Sequence, residues 1–100
     1  MASEGKRTVS KREIAERVAR KAKQTQLVAK RIIQLFLDEV IDEVARGNKL
    51  EFRDFGVFDV VTRKRRVGRN PRTGERVAVP EKKVVSFKMG RFMRERVASQ

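Results

Sequence analysis

The spacing of apolar residues changes along this chain, and the changes divide it into elements. Between Ser10 and Lys23, the residues Ile14, Ala15, Val18, Ala19 and Ala22 recur at helical spacing and form a narrow apolar face. Ser10-Lys-Arg-Glu13 reads as a capping box, with the Ser10 hydroxyl accepting from the Glu13 amide while the Glu13 carboxylate reaches back. Val9 and Ile14 flank it at the staple positions. The small side chains on this face predict a close approach to another helix. A second helix starts after Thr25, an N-cap residue, runs to about Arg46 and ends on Gly47. It carries Leu27, Val28, Ile32, Ile33, Leu35, Phe36, Leu37, Val40, Ile41 and Val44, a stripe wider than the first helix can cover. A helix apolar over most of its circumference must be covered on several sides. In a chain of 100 residues the missing cover is best supplied by a second copy, closed by two-fold symmetry. The expected dimer core comprises Ile32, Ile33, Phe36, Leu37, Val40 and Val44, with Phe55 and Phe58 from the segment that follows.

From Lys49 the period falls from 3.6 to 2. Leu50 and Phe52 alternate with Glu51 and Arg53, Asp54-Phe55-Gly56 marks a turn, and Val57 to Val61 is a second strand. Val84, Val85 and Phe87 form a returning strand that Gly90 breaks. Arg91 to Ala98 then forms a short last helix, with Phe92 and Val97 packing inward. The six aromatic residues are all Phe and sit where their local period would bury them, so core packing outweighs base stacking as their role. The whole reads as an α+β chain: a tail over residues 1–9 and one domain over 10–100, with no internal repeat or linker.

Between the second and returning strands lies a stretch of different character. From Arg63 to Arg76, seven of fourteen residues are Lys or Arg and only Glu75 is acidic. One apolar side chain, Val67, and Pro71 cannot build a core. Asn70-Pro71-Arg72-Thr73-Gly74 has turn chemistry: Pro71 presets φ at a corner, and Gly74 can take positive φ where the chain returns. Alternating residues on both flanks, Phe58-Asp59-Val60 and Val77-Ala78-Val79, make this a long β-hairpin, an arm over about 62–80. Eight residues at roughly 3.3 Å each give a limb of about 26 Å. A limb so basic and so poor in core residues is suited to lie along a polyanion.

The charge of the whole chain supports that reading. Twenty-six Lys and Arg stand against 13 Asp and Glu, a net +13, and nucleic acid is the leading partner. An anionic membrane would call for an amphipathic helix with exposed aromatics, and no apolar run is long enough to span a bilayer. With no Cys and no His, the chain lacks the usual nucleophile–base pairs and zinc ligands, so no metal, cofactor or small-molecule substrate is expected and an enzyme is not. Asp38, Glu39, Asp42 and Glu43 offer paired carboxylates for a metal-dependent nuclease, but a solvated helix face accounts for them without a pocket. An RNA-binding module of the ribosomal type is the other alternative. The polar first residues lack a signal-peptide core, and a cytoplasmic location with the nucleoid is expected.

Phe55-Gly56-Val57-Phe58 followed by Gly68-Arg69-Asn70-Pro71-Arg72-Thr73-Gly74 resembles the bacterial HU / integration host factor family, and the likeness runs from about Thr8 to Val97. The resemblance implies an intertwined homodimer, or a heterodimer with a paralogue. In it a helical body supports a three-stranded antiparallel β-saddle, and two β-ribbon arms enter the minor groove of duplex DNA. It implies that Pro71 is the wedge that kinks the duplex, with Asn70, Thr73 and Gly74 around it. The basic arm positions are Arg63, Lys64, Arg65, Arg66, Arg69, Arg72 and Arg76. Lys82 and Lys83 match a basic pair at the arm base, Arg91 and Arg94 match basic positions of the last helix, and Lys11 falls near a body–phosphate contact. Taken alone, Pro71 fits a turn corner as well as a wedge, and Lys82 and Lys83 fit a solvated strand end as well as a phosphate contact.

The physics of such a complex is consistent. Bending a duplex costs on the order of several kcal/mol, which flanking phosphate contacts must offset, and a dimer doubles the charge from +13 to +26. Met89 precedes Gly90 where relatives on the integration host factor side often have proline, and the leader is longer than the shortest members need. These departures leave two subgroups open: a general DNA compactor or a sequence-selective bender.

Overall fold

A computed structural model describes residues 5–99. The elements follow in the order α1 (Lys11–Ala22), α2 (Gln26–Ala45), β1 (Leu50–Phe52), β2 (Gly56–Arg63), β3 (Arg66–Arg69), β4 (Arg76–Val79), β5 (Lys82–Met89) and α3 (Arg91–Ala98). The chain divides into two compact units between Glu39 and Val40.

In the first unit, Ser10 caps α1, its hydroxyl accepting from the Glu13 amide at 3.2 Å. The second half of the capping box differs from expectation. The Glu13 carboxylate turns to Arg7 at 2.7 Å and to Arg17 at 3.1 Å. Two guanidinium partners outcompete one backbone amide for the same oxygens. The Arg7 hydrogen bond holds the Glu13 carboxyl below its ordinary range, and it ties down a residue expected to lie in a loose tail. The rest of that tail, Met1 to Glu4, lies outside the described residues.

Both ends of the helix–helix connection are closed by hydrogen bonds. The Lys23 amide donates to Arg20 O at 3.3 Å and the Gln24 amide to Ala19 O at 2.9 Å, with Lys23 at φ 55. This is a Schellman motif with lysine at the position that glycine usually takes. Thr25 Oγ1 then accepts from the Val28 amide at 3.1 Å and starts α2. Of the small α1 residues on which a close helix approach was expected, Ala15 and Ala19 are buried and Ala22 is exposed; Ala29 of α2 is buried as well. Lys11 Nζ donates to Gln34 Oε1 and links the two helices directly. Leu27, Ile32, Leu35 and Phe36 are each more than half exposed on the same helix.

In the second unit, α2 ends as its glycine predicts. The Gly47 amide donates to Val44 O at 3.0 Å and the Asn48 amide to Glu43 O at 3.1 Å, with Gly47 at φ 87. Three antiparallel strands follow in the order β1-β2-β5, with Leu50 opposite Phe58 and Phe58 opposite Phe87. Four rings gather there. Phe58 and Phe87 lie 4.7 Å apart between centroids, Phe55 and Phe87 5.9 Å, and Phe52 and Phe58 6.1 Å.

The expectation that every Phe is buried does not hold in one chain. Phe36, Phe55, Phe87 and Phe92 remain 39–57% exposed, while Phe52 and Phe58 are half-buried. Three strands and an eight-residue helix offer too little surface to cover so many rings.

The turn before β2 is locked to the start of α3. Asp54 takes φ 66, the Gly90 amide donates to Phe55 O at 2.7 Å, and the Phe92 amide donates to Asp54 O at 3.0 Å. The backbones approach so closely that a Cβ on Gly90 would stand 2.6 Å from the Asp54 carbonyl carbon. Replacing Gly90 with Ala is therefore expected to lower stability by about 2 kcal/mol or more, because backbone cannot move aside as a side chain can. Lys23→Gly should raise it by about 0.5–1 kcal/mol through relief of the left-handed conformation, less the added unfolded-state entropy. Urea unfolding of the two variants beside the parent chain checks both signs.

Candidate nucleic-acid interface

The arm grows out of the central pair of strands. β2 and β5 pair over eight rungs from Gly56↔Met89 to Arg63↔Lys82, and there the ladder stops. Lys64 and Arg65 on one limb, and Pro80 and Glu81 on the other, carry no ladder pairs. Pro80 has no N–H to donate. Pairing resumes in β3 and β4, with Arg66↔Val79, Val67↔Ala78, Gly68↔Val77 and Arg69↔Arg76. The long hairpin expected here is thus built as two ladders joined by an unpaired junction.

The tip is a six-residue loop held by its own polar groups. The Asn70 amide donates to Glu75 O at 2.8 Å, and the Gly74 amide donates to Asn70 O at 2.7 Å with Gly74 at φ 76. Asn70 Oδ1 accepts from the Arg72 amide at 2.8 Å, and Thr73 Oγ1 accepts from the Glu75 amide at 3.2 Å. The side chains of Asn70 and Thr73, read from sequence as part of the contact surface, are engaged in building the turn. Pro71 is left exposed at the apex between them.

Side chains alternate across the ribbon. Val67, Arg69, Arg76 and Ala78 share one face, and Arg66, Gly68, Val77 and Val79 share the other. Arg69 and Arg76 are direct partners, an arrangement that costs stability unless an anion lies nearby. One Arg69 nitrogen reaches Gly74 O at 3.3 Å. At the arm base, Arg63, Lys64, Arg66 and Lys82 line a concavity floored by Val79, Pro80 and Val84. Among the described residues, ion pairs involve Arg7, Arg12, Arg17, Arg46 and Arg91. None of these belongs to the arm, so its basic residues Arg63, Lys64, Arg65, Arg66, Arg69, Arg72 and Arg76 carry uncompensated charge, as do Lys82 and Lys83.

The remaining basic positions lie elsewhere. Arg91 opens α3, pairs with Glu95 at 3.3 Å and lies 6.0 Å from the Phe92 ring centroid, and Arg94 is exposed one turn on. Lys11 belongs to the other compact unit, bonded to Gln34. Two of the four late carboxylates of α2 are engaged. Asp38 accepts from Gln34 at 2.8 Å, and Glu43 accepts from Arg46 at 2.6 Å and Asn48 at 2.9 Å. Among the described residues no group of three or more His, Cys, Asp or Glu could hold a metal ion, and no helix is long and apolar enough to cross a membrane.

Residues 9–98 match the family described as bacterial DNA-binding protein. Integration host factor subunit beta from Neisseria meningitidis serogroups A, B and C, and from Neisseria gonorrhoeae, is 49% identical over 73% of this chain and 73% of its own length. Among solved structures, the Anabaena HU–DNA cocrystal structure superposes with a TM-score of 0.84 at 36% identity, covering 92% of this chain and all of that one. An HU variant from Thermotoga maritima gives 0.65 at 28% identity, covering 89% and 99%. A family match from the residue before the first cap to the end of α3, with an α+β fold shared over 92% of the chain, means that this chain belongs to the bacterial DNA-binding protein family of HU and integration host factor.

Proposed function

We propose that this protein is an architectural DNA-binding protein: as a dimer it lays two β-ribbon arms in the minor groove of duplex DNA, bends it and compacts it. One observation carries the reading, the exposed Pro71 at the apex of a ribbon whose basic residues have no acidic partner. A rigid apolar ring with no N–H to satisfy suits insertion between base pairs. Arg63, Lys64, Arg65, Arg66, Arg69, Arg72 and Arg76 meet phosphates along the arm, and Lys82 and Lys83 do so at its base. Arg91, Arg94 and Lys11 serve the body. Each contact that displaces a condensed counterion adds to binding without reading sequence. Asn70, Thr73 and Gly74 hold Pro71 at its corner.

The exposed apolar surface of a single chain supports dimerisation. Ile32, Phe36, Leu37 and Phe55 are 37–59% exposed, and Ile33, Val40, Val44 and Phe58 are half-buried. So much apolar surface marks an interface in a chain this small. The reading places the protein in the cytoplasm with the nucleoid and needs no cofactor. The 49% identity to integration host factor subunit beta favours a second form of the same reading, a sequence-selective bender that pairs with a paralogous subunit. Selection of bound sequences from random duplexes decides between the two. A recurring motif indicates the selective form, an unselected pool the general one, and retention of structured RNA over duplex the ribosomal-type alternative.

Pro71→Ala should reduce the bend of an end-labelled duplex, read by energy transfer, far more than it reduces affinity, because the phosphate contacts stay. An undiminished bend rules out the wedge. Affinity should fall linearly on a log–log plot against salt, with a slope of about −0.9 for each phosphate neutralised, and a flat response would be incompatible with the electrostatic account. Phe36→Asp should abolish dimer and fold together by placing a charge in an apolar interface. A folded monomer, seen by sedimentation and circular dichroism, would contradict the assigned role of α2.

A further inference from the structure

Gly68 stands apart from the other glycines of the chain. Gly5, Gly47 and Gly74 take positive φ, and a Cβ on Gly56 or Gly90 would collide with a ring or with backbone at 2.4–2.6 Å. Gly68 meets neither condition. It sits inside β3 with an ordinary strand conformation, paired with Val77. A Cβ there would meet one flexible methyl, Val79 Cγ2 at 3.3 Å, and the Val77 carbonyl oxygen at 3.9 Å. A glycine inside a strand lowers stability relative to a residue with a side chain. In a ribbon of four rungs that loss is taken where it can least be spared, and inside the fold only Val79 opposes a side chain, which would have to give by a few tenths of an ångström. The remaining physical reason for glycine in a strand is the close approach of something outside the chain.

The surroundings of Gly68 indicate what approaches. It lies in a shallow cleft with Arg66, Asn70, Pro71, Val77 and Val79, directly below the tip. Its face of the ribbon holds the apolar Val77 and Val79, with Arg66 two residues away along the strand. The next residue, Arg69, projects to the opposite face. A notch that sets two valines beside one cation complements a deoxyribose ring, whose apolar edge lies next to a phosphate. We infer that Gly68 is the point of closest approach between arm and ligand, where the absent side chain leaves room for a sugar of the groove wall against the ribbon backbone. The inference rests on the architectural reading above and deepens it: Pro71 makes the wedge, and Gly68 sets how closely the ribbon below it seats. A methyl group at position 68 holds the ribbon off the groove and weakens every contact that depends on its depth.

The test uses the full-length dimer and an end-labelled duplex, with affinity and bend read in one titration and thermal stability read without DNA. Four chains are compared: the parent, Gly68→Ala, Val79→Ala, and the two combined, in which the methyl that the new Cβ would press is gone; Val79→Ala alone is the reference for the double variant. The inference expects Gly68→Ala to lose about tenfold or more in affinity together with part of the bend. It expects the double variant to match Val79→Ala in melting temperature while remaining weaker than it on DNA. Parent-like binding and bending by Gly68→Ala would overturn the inference and leave the architectural reading intact. Recovery of binding in the double variant would also overturn it, since the loss would then have come from displacing Val79. Failure of the parent chain to bind duplex at all would instead remove the architectural reading, and this inference with it.

Discussion

A two-stranded ribbon has no interior. Whatever orients the arm must come from its backbone ladder and from the hydrogen bonds of its tip, because no packed core stands behind its side chains. That constraint explains much of the distal sequence. Asn70 and Thr73 each direct a side-chain oxygen at a backbone amide two residues on, and Gly74 supplies the left-handed return. The basic residues of the arm have no acidic partners, and apart from Arg69, which reaches Gly74 O, they take no part in holding the tip. In isolation the arrangement works against itself, with Arg69 facing Arg76 across the ladder. Repulsion of this kind is relieved when a polyanion lies along the ribbon, so part of the binding energy comes from strain that the free protein already carries.

The body presents the complementary problem of surface without cover. Among the described residues the buried apolar side chains are three alanines, while leucines, isoleucines and phenylalanines on α2 and around the sheet stay largely exposed. Alanine contacts allow helices to approach closely but bury little area each. The free energy that the single chain does not gain internally is available to association, which ties folding to dimer formation.

Much of this could be read from the sequence, and the misreadings have physical causes. Ser10, Thr25 and Gly47 were legible as helix signals because a cap depends on neighbours within four residues. The tip was legible for the same reason. The reciprocal half of the capping box was not, because Arg7, outside the motif, competes for the Glu13 carboxylate. Lys23 gave no warning that it would take the left-handed position. The arm read as one long hairpin, and the break in its ladder at Lys64–Arg65 and Pro80–Glu81 was not foreseen. The phenylalanines were read as buried, and four are not, because periodicity reports which face a residue is on and not whether one chain can cover it. Gly68 stood in the tip motif, but sequence spacing does not reveal how open its surroundings are.

The unpaired junction also bears on how such arms vary. Lys64–Arg65 and Pro80–Glu81 interrupt the hydrogen-bond register between the sheet and the distal ribbon. An added or lost residue in the outer ladder therefore need not be transmitted to the rungs that hold Phe58 against Phe87. Side-chain alternation still limits what can change: one extra rung exchanges the two faces of the ribbon, whereas two restore them. Reach is thus a property that can drift in paired steps while the saddle beneath stays constant. In a chain of this design, the length of DNA engaged on each side can change more readily than the body that presents it.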